Sequence, residues 1–286
     1  MTQSGERHDP REYSWPSGDV QANGVRLHYY RTGGAKLPLV LAHGFSDDGL
    51  CWTSVARALE NSYDVVMVDA RGHGRSGAPA HGYGPLEQAD DLAGVITALK
   101  LSRPIVLGHS MGAMTVLALA GRHPELPRAI LLEDPPPWWA TDYPPPFNKE
   151  WREESKAWIA GFRRHSRKDI IDAQRLAAPN WPEEDLAPWV DSKTRLSLSF
   201  FHQDVPPEVD WPPLVRRIPC PVLLLTADPE KGAIVTDAQA AGLRAMVPHL
   251  SIAHIAGAGH SIHRDQSGRF LEAVRAFLDE LLGAEE

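Results

Sequence analysis

Residues 104–112 read Pro-Ile-Val-Leu-Gly-His-Ser-Met-Gly, an apolar run followed by a serine between two glycines. The apolar part has the length and composition of a strand that is buried on both faces. A sharp turn from such a strand into a helix projects one side chain out of the backbone, and glycines on either side avoid a collision in the bend. The pattern therefore predicts a strand, a tight turn at Ser110 and a helix that begins at Met111.

The serine in this turn is a candidate nucleophile. A serine hydroxyl is a weak nucleophile at neutral pH, so a catalytic serine must be presented to a base and to hydrogen-bond donors for an oxyanion. The alternative interpretation of the same residues is a surface turn in which Ser110 only caps the following helix. The rest of the chain decides between the two.

The chain alternates between short apolar runs and helical patterns. A hairpin is predicted over residues 20–31, because Asn23-Gly24 is a typical two-residue turn. Apolar runs that predict buried strands lie at 38–42, 65–68, 105–107, 129–132, 222–225 and 250–255, and helical patterns lie at 52–59, 85–99, 111–123, 236–246 and 267–282. This alternation predicts an α/β fold with a mostly parallel central sheet and helices on both faces.

One segment, residues 135–213, interrupts the alternation. It has no clear buried strand, and its helical spacing at 150–163 and 186–200 predicts an inserted helical cap, with 1–134 and 214–286 forming the core domain. Proline clusters at 135–137 and 144–146 suggest a stiff connection. The segment holds seven tryptophans, namely Trp138, Trp139, Trp151, Trp158, Trp181, Trp189 and Trp211. A small cap cannot bury all of them, so we expect some to line a cleft, with Trp138 and Trp139 as candidate substrate-binding residues.

Composition excludes several classes of partner. The 286-residue chain carries a formal charge of −8, which argues against nucleic acid or an anionic membrane as a partner. No stretch approaches the roughly twenty apolar residues of a membrane span, and residues 1–18 lack the apolar region of a signal peptide. We therefore expect a soluble cytoplasmic protein that acts on a small molecule. The oligomeric state is left open, a homodimer included.

Cofactor chemistry is not expected from the sequence. Cys51 and Cys220 are far apart and have no metal-like spacing, so they are predicted to be free thiols of a reducing compartment. The chain also has no glycine-rich phosphate loop and no cluster of residues with metal-ligand spacing. We expect neither a cofactor nor a metal.

Three further motifs follow predicted strands. His43-Gly44-Phe45 follows the strand at 38–42, and its glycine allows a backbone N–H to approach an oxyanion closely. The loop at 69–76, Asp-Ala-Arg-Gly-His-Gly-Arg-Ser, is expected to be mainly structural. Gly257-Ala258-Gly259-His260 places a histidine in a glycine-rich loop between the last strand and the last helix, where a general base can stand.

In this order, the motifs resemble those of α/β-hydrolase-fold enzymes, in particular serine esterases and lactonases with a helical cap. The resemblance spans roughly residues 20–282, with the cap as the divergent part. It implies that Ser110 is the nucleophile and His260 the general base. It also implies that the N–H groups of Phe45 and Met111 form the oxyanion hole.

The acid of the triad is left open by the sequence. In the family it usually follows the strand that corresponds to 222–225, where Asp228 and, two residues on, Glu230 are candidates. In some branches it follows the preceding strand, where Glu133-Asp134 stand. Asp228 and Asp134 are equal candidates, with Glu230 and Glu133 behind them.

The resemblance also implies the reaction. Family members that cleave carbon–halogen bonds or epoxides carry aspartate at the position of Ser110, so those activities are disfavoured. A serine nucleophile implies acyl transfer to water through an acyl-enzyme, with a carboxylic ester or lactone whose apolar part lies against the cap tryptophans. Two alternatives stay open, a serine-dependent carbon–carbon bond hydrolase and a ligand receptor derived from a hydrolase.

Overall fold

A computed structural model describes residues 15–143, 148–201 and 209–283. These residues form one eight-stranded sheet with helices on both faces, as the sequence predicts. The strands are β1 Ser17–Ala22, β2 Val25–Arg31, β3 Leu37–Ala42, β4 Tyr63–Val68, β5 Ile105–His109, β6 Ala129–Glu133, β7 Val222–Ala227 and β8 Leu250–Ile255. The helices are α1 Thr53–Leu59, α2 Pro85–Ala98, α3 Met111–Arg122, α4 Lys149–Phe162, α5 Arg167–Ala177, α6 Glu183–Arg195, α7 Trp211–Val215, α8 Asp237–Met246, α9 Ile262–Asp265 and α10 Ser267–Gly283.

The order of strands in the sheet is β1-β2-β4-β3-β5-β6-β7-β8. From β4 to β8 all neighbouring strands are parallel, whereas β2 is antiparallel to both β1 and β4. The predicted hairpin joins β1 to β2, and Asn23 and Gly24 both have positive φ, of 47° and 76°. Two successive positive φ values are characteristic of the tight turn that Asn-Gly favours.

The core is divided by the sheet into two layers. Alternate residues of one strand face opposite layers, so Val40 packs with α2, α3 and α8, while Leu39 and Leu41 pack with α1 and α10. All three side chains are fully buried. Burial on both faces explains the apolar runs of the inner parallel strands. The edge strand β8 differs from the predicted apolar run, because its Ser251 and His254 are exposed.

Helices α4 to α7 lie between β6 and β7, in the segment predicted to be a cap. Two features differ from the sequence prediction. The pattern at 186–200 is not one helix, because α6 ends at Arg195 and a short 3-10 helix, Leu198–Phe201, follows. The prediction omitted α5, none of whose residues is buried. Its signal in the sequence is Ser166, whose side chain accepts a hydrogen bond from Asp169 N at the start of the helix. The proline cluster at 144–146 lies outside the described residues.

Polar contacts join α6 to the core. Asp185 accepts hydrogen bonds from the backbone N and the hydroxyl of Ser54 in α1, at 3.0 and 2.5 Å. Further along the helix, Lys193 pairs with Asp47, and Arg195 pairs with Asp48 at 2.9 Å. Because Asp47 and Asp48 lie in the loop after β3, α6 is fixed directly above the carboxyl end of the sheet.

Two other expectations can be compared with the described residues. Cys51 and Cys220 are both buried free thiols, as predicted. Within 15–143, 148–201 and 209–283, no helix combines the length and apolar character needed to cross a bilayer.

Candidate active site

The carboxyl ends of the parallel strands bring the predicted site residues to one edge of the sheet. In the register of the sheet, Ala42 is opposite Gly108, and His109 is opposite Glu133. The pairing of β7 with β8 extends to Ala227 opposite Ile255. The loops that follow these strands therefore meet at this edge, although they are far apart in the chain.

Ser110 lies in a strained turn between β5 and α3. Its φ and ψ are 51° and −115°, a combination that residues with a side chain seldom adopt. Its backbone N–H donates to Glu133 O at 2.9 Å, which continues the ladder between β5 and β6 beyond the last strand residue. The turn is thus held by the sheet, and it presents the serine side chain at the strand end.

The glycines around Ser110 are required by close packing. A Cβ on Gly112 would lie 2.2 Å from Ala42 O, and a Cβ on Gly108 would lie 2.4 Å from Gly112 O. Both contacts are with backbone, which cannot move aside easily. The physical reason for the Gly-x-Ser-x-Gly pattern is therefore the close approach of α3 to the ends of β3 and β5.

His260 is oriented by Asp134. The Nδ1–H of His260 donates to Asp134 Oδ2 at 2.7 Å, and the carboxylate also accepts the N–H groups of Ile234 and Val235 at 3.0–3.1 Å. Asp134 is fully buried, and its oxygens are fixed by these three donors. This arrangement leaves Nε2 of His260 as the nitrogen that can take a proton.

The structure does not bring Asp228, the other equal candidate for the acid, to His260. Its carboxylate accepts the N–H of Gly257 at 2.8 Å and contacts Nε2 of His254 at 3.0 Å. The expectation for Asp228 is corrected accordingly: the side chain holds the start of the loop that carries His260.

The two secondary candidates for the acid are also placed away from the His260 ring. Glu133 is buried and accepts hydrogen bonds from His263, at its backbone N and at Nδ1. Burial raises the pKa of Glu133 to about 7. Glu230 is exposed, in a short 3-10 helix after β7.

The loop after β3 aims the N–H of Phe45. His43 Nδ1–H donates to Gly44 O at 2.8 Å, and Asp47 N–H donates to the same oxygen at 3.2 Å. Because carbonyl and N–H of one trans peptide point in opposite directions, fixing Gly44 O fixes the N–H of Phe45. Among the described residues, neither this N–H nor that of Met111 has an acceptor, and both residues line the same cavity as Ser110.

The loop at 69–76 accepts hydrogen bonds from the loop after β3. Asp69 accepts the N–H of Gly49 and of Arg75, both at 2.7 Å. His73 accepts the N–H of Ser46 at 3.3 Å, and burial lowers its pKa to about 3, so its ring is neutral. These contacts agree with the structural role that the sequence suggests for most of this loop.

His109 is a residue that the sequence analysis did not single out. Its Nε2–H donates to the backbone carbonyl of His260 at 2.9 Å, and the two rings are 4.7 Å apart. Burial lowers the pKa of His109 to about 3, which keeps it neutral. The sequence marks His109 only by its position next to Ser110. Its hydrogen-bond partner, His260, is 151 residues away along the chain.

The site residues open into a cavity of about 560 Å³ beneath α4 to α6. Five of the seven tryptophans of the insertion line it: Trp138, Trp151, Trp158, Trp181 and Trp189. Trp139 does not, and that expectation is corrected. Its indole is buried in the core and donates to Gln239 O at 3.0 Å, because the backbone after Pro137 turns the side chain toward α8.

Three charged side chains also line this cavity, and the sequence analysis missed them. They are Asp47, Lys193 and Arg264, from the loop after β3, from α6 and from α9. No local pattern marks them as site residues, because each is brought to the cavity by a different element. No group of three or more His, Cys, Asp or Glu side chains in the described part of the chain is arranged to hold a metal ion.

Comparisons with known proteins agree with this architecture. The family model described as "Alpha/beta hydrolase family" matches residues 39–273. N-formylmaleamate deformylase of Pseudomonas putida is 30% identical over 267 residues, which cover 92% of this chain and 96% of the relative. A 2-(acetamidomethylene)succinate hydrolase of Mesorhizobium japonicum is 24% identical, over 91% of this chain and 94% of the relative.

Solved structures agree as well. The crystal structure of an N-formylmaleamic acid deformylase from Pseudomonas putida S16 superimposes with a TM-score of 0.71 and 26% identity, covering 91% of this chain and all of the other. One conclusion follows from the eight-stranded sheet, the strained turn at Ser110 and the matching family model. The chain belongs to the alpha/beta hydrolase family and is a hydrolase.

Proposed function

We propose that this protein is a serine hydrolase that cleaves a carboxylic ester or lactone with an apolar portion through an acyl-enzyme intermediate. The observation that carries the proposal is the hydrogen bond of 2.7 Å between His260 Nδ1 and Asp134 Oδ2, beside a cavity that Ser110 also lines. A histidine held in this way has a free Nε2 to serve as base for a serine.

In the first step Ser110 Oγ attacks the carbonyl carbon of the substrate, and its proton passes to Nε2 of His260. The oxyanion that forms accepts hydrogen bonds from the N–H groups of Phe45 and Met111. The dipole of α3, whose N-terminus lies beside it, stabilises the negative charge further. Collapse of this intermediate breaks the bond to the leaving group, which takes the proton from His260. The product of this step is an ester of Ser110.

In the second step water replaces the leaving group. His260 takes a proton from the water, whose oxygen attacks the acyl carbon, and the proton returns to Ser110 Oγ as the acyl–serine bond breaks. Asp134 stabilises the imidazolium in both steps without taking the proton itself. The acid and the free serine are the products.

The walls of the cavity support an apolar or aromatic portion in the substrate. Trp138 and Trp151 face it together with Phe45, and the rings of Phe45 and Trp151 are 4.8 Å apart. Aromatic side chains provide large apolar contact areas, and a cavity of this size accommodates a small organic molecule.

A second candidate substrate class is an N-acyl compound. It is favoured by the relative named N-formylmaleamate deformylase, which is 30% identical over 92% of this chain. The same two steps cleave an N-acyl bond, with the nitrogen leaving and taking its proton from His260. The residues required are unchanged, so substrate trials must separate the two classes.

The experiment is labelling with a fluorophosphonate probe, read by intact-protein mass and peptide mapping, together with a substrate panel. The panel contains aryl and alkyl esters, lactones, N-formyl and N-acetyl amides, and a ring-fission dienoate. A single adduct on Ser110 with turnover of esters or lactones supports the proposal, and Ser110→Ala is the control for both readouts. Turnover of the amides alone moves the assignment to the second class, and turnover of the dienoate alone moves it to carbon–carbon hydrolysis. An unlabelled wild-type protein without turnover contradicts the proposal.

A further inference from the structure

Two cations are buried beside the cavity that Ser110 lines. Lys193 is 0% exposed and Arg264 1% exposed. Both pair with the same carboxylate, Asp47, whose Oδ1 accepts from Lys193 Nζ and whose Oδ2 accepts from Arg264 Nη2 at 2.8 Å. All three residues line the cavity.

The faces of three tryptophans cover these cations. Lys193 Nζ lies 4.8 Å from the ring centroid of Trp189 and 5.7 Å from that of Trp158. The guanidinium of Arg264 lies 4.9 Å from the centroid of Trp181. Aromatic faces attract cations and tolerate their burial, but they do not neutralise the charge. The same three rings line the cavity.

The charged side chains that line this part of the cavity are two cations and one carboxylate. Lys193 and Arg264 stand against one carboxylate, Asp47. Asp185, a further buried carboxylate, accepts hydrogen bonds from Ser54 and does not line the cavity, but it acts on Arg264 as a second counter-charge. Within the described ranges Arg264 Nε has no acceptor and is buried. A buried N–H donor without an acceptor is costly, so a carboxylate oxygen that reaches Arg264 Nε in this cavity is favoured.

We propose that Lys193 and Arg264 form a subsite for a free carboxylate on the substrate, which makes the preferred substrate an acyl derivative that also carries an acid group. The inference rests on the proposed acyl chemistry at Ser110, and it adds a second point of recognition. Arg264 supplies the donor without an acceptor, its Nε, on a planar and permanently charged group. Lys193 already donates to Asp47, Ser46 O and Ser192 Oγ, so it contributes its charge.

The test compares p-nitrophenyl esters of diacids, from adipic acid upward in length, with the corresponding ω-carboxamides. The two series have the same shape and differ in charge, and release of p-nitrophenolate reports only cleavage at the aryl ester. We expect kcat/KM of the best acid to exceed that of its carboxamide by about 10- to 100-fold, the worth of a charge-assisted hydrogen bond. Equal or higher kcat/KM for the carboxamides at every length overturns the proposal.

Substitutions identify the residues. Lys193→Met and Arg264→Met keep the length of the side chains and their contact with tryptophan, and each should lower the ratio of acid to carboxamide by about tenfold. Asp47→Asn removes the competing carboxylate and should raise the same ratio. A purely structural ion-pair cluster would instead lower both kcat/KM values together and leave the ratio unchanged, which overturns the assignment. If a variant does not fold, the ratio of kcat/KM for the acid to that for the carboxamide in the wild type still tests the proposal.

A binding measurement distinguishes failure of the proposed ester cleavage from failure of the proposed subsite. Calorimetry with adipate and with adipamide on Ser110→Ala, which needs no turnover, should detect adipate alone. Binding of adipate without any ester cleavage would keep the subsite and contradict the proposed reaction. Fluorophosphonate labelling of Ser110 without adipate binding would keep the nucleophile and contradict the subsite.

Discussion

Asp134 Oδ2 lies 2.7 Å from His260 Nδ1, and the carboxylate is fully buried while the imidazole is 36% exposed. In the proposed mechanism the exposed ring meets the substrate, whereas the buried carboxylate orients the ring and stabilises its charge. Asp134 follows β6 and Ser110 follows β5, so the parallel pairing of these two strands places both residues at the same edge of the sheet.

The first prediction separates the two acids that the sequence leaves equal. Asp134→Asn should lower kcat/KM by about 10⁴-fold, because an amide can hold His260 in the wrong tautomer. The rate of fluorophosphonate labelling should fall in parallel. Asp228→Asn is the matched control, since it removes the same charge from a carboxylate that contacts His254 and Gly257 rather than His260. A larger loss in the control than in Asp134→Asn would reverse the assignment of the acid.

The second prediction concerns backbone strain in the turn at Ser110. Ser110 has φ 51° and ψ −115°, which glycine adopts without cost. Both Ser110→Ala and Ser110→Gly should be inactive, but the glycine variant should have a free energy of unfolding higher by about 1–2 kcal/mol. Urea unfolding of the two variants measures the difference. Equal stability would mean that the turn is relaxed in solution.

The third prediction tests the close approach of α3 to β3. Gly112→Ala places a methyl group 2.2 Å from Ala42 O, and overpacking against backbone should lower the free energy of unfolding by about 1–3 kcal/mol or prevent folding. Gly242→Ala is the control, because its Cβ meets nothing within 4 Å in α8. It should stabilise the protein by about 0.5–1 kcal/mol. Thermal unfolding of both variants checks this, and a tolerated Gly112→Ala would contradict the packing argument.

The fourth prediction is a pH effect on stability from a buried histidine. Burial lowers the pKa of His73 to about 3, whereas an unfolded histidine titrates near 6.5. Between these values the unfolded chain binds a proton that the folded protein does not, so His73 contributes stability that is present above about pH 6.5 and lost as the pH falls toward 3. Between pH 7 and pH 5 the loss from this residue is about 2 kcal/mol.

The variant His73→Gln isolates this contribution from the opposing one of Glu133, whose pKa is raised by burial. The fall in the free energy of unfolding from pH 7 to pH 5 should be smaller in the variant than in the wild type by that amount. Urea unfolding at the two pH values provides the measurement. The same fall in both proteins would show that His73 gains a proton freely in the folded state.

The sequence determined the fold and indicated the two residues to which we assign the proposed chemistry. Apolar runs buried on both faces predict parallel strands, and parallel strands place the residues that follow them at one edge. Ser110 and His260 could be named because each follows such a strand within a glycine-rich turn. These signals are local, so they can be recognised without knowing which other elements pack around them.

The tertiary structure decided which acid faces His260, which tryptophans line the cavity and which cations stand beside it. Asp134 and Asp228 both follow strands and look equivalent along the chain, but only one lies within hydrogen-bond distance of the ring. Trp138 and Trp139 are adjacent, yet they point into the cavity and into the core respectively. Lys193 and Arg264 meet at Asp47 across 146 and 217 residues of chain. Such contacts depend on how separate elements pack, and no short stretch of sequence encodes them.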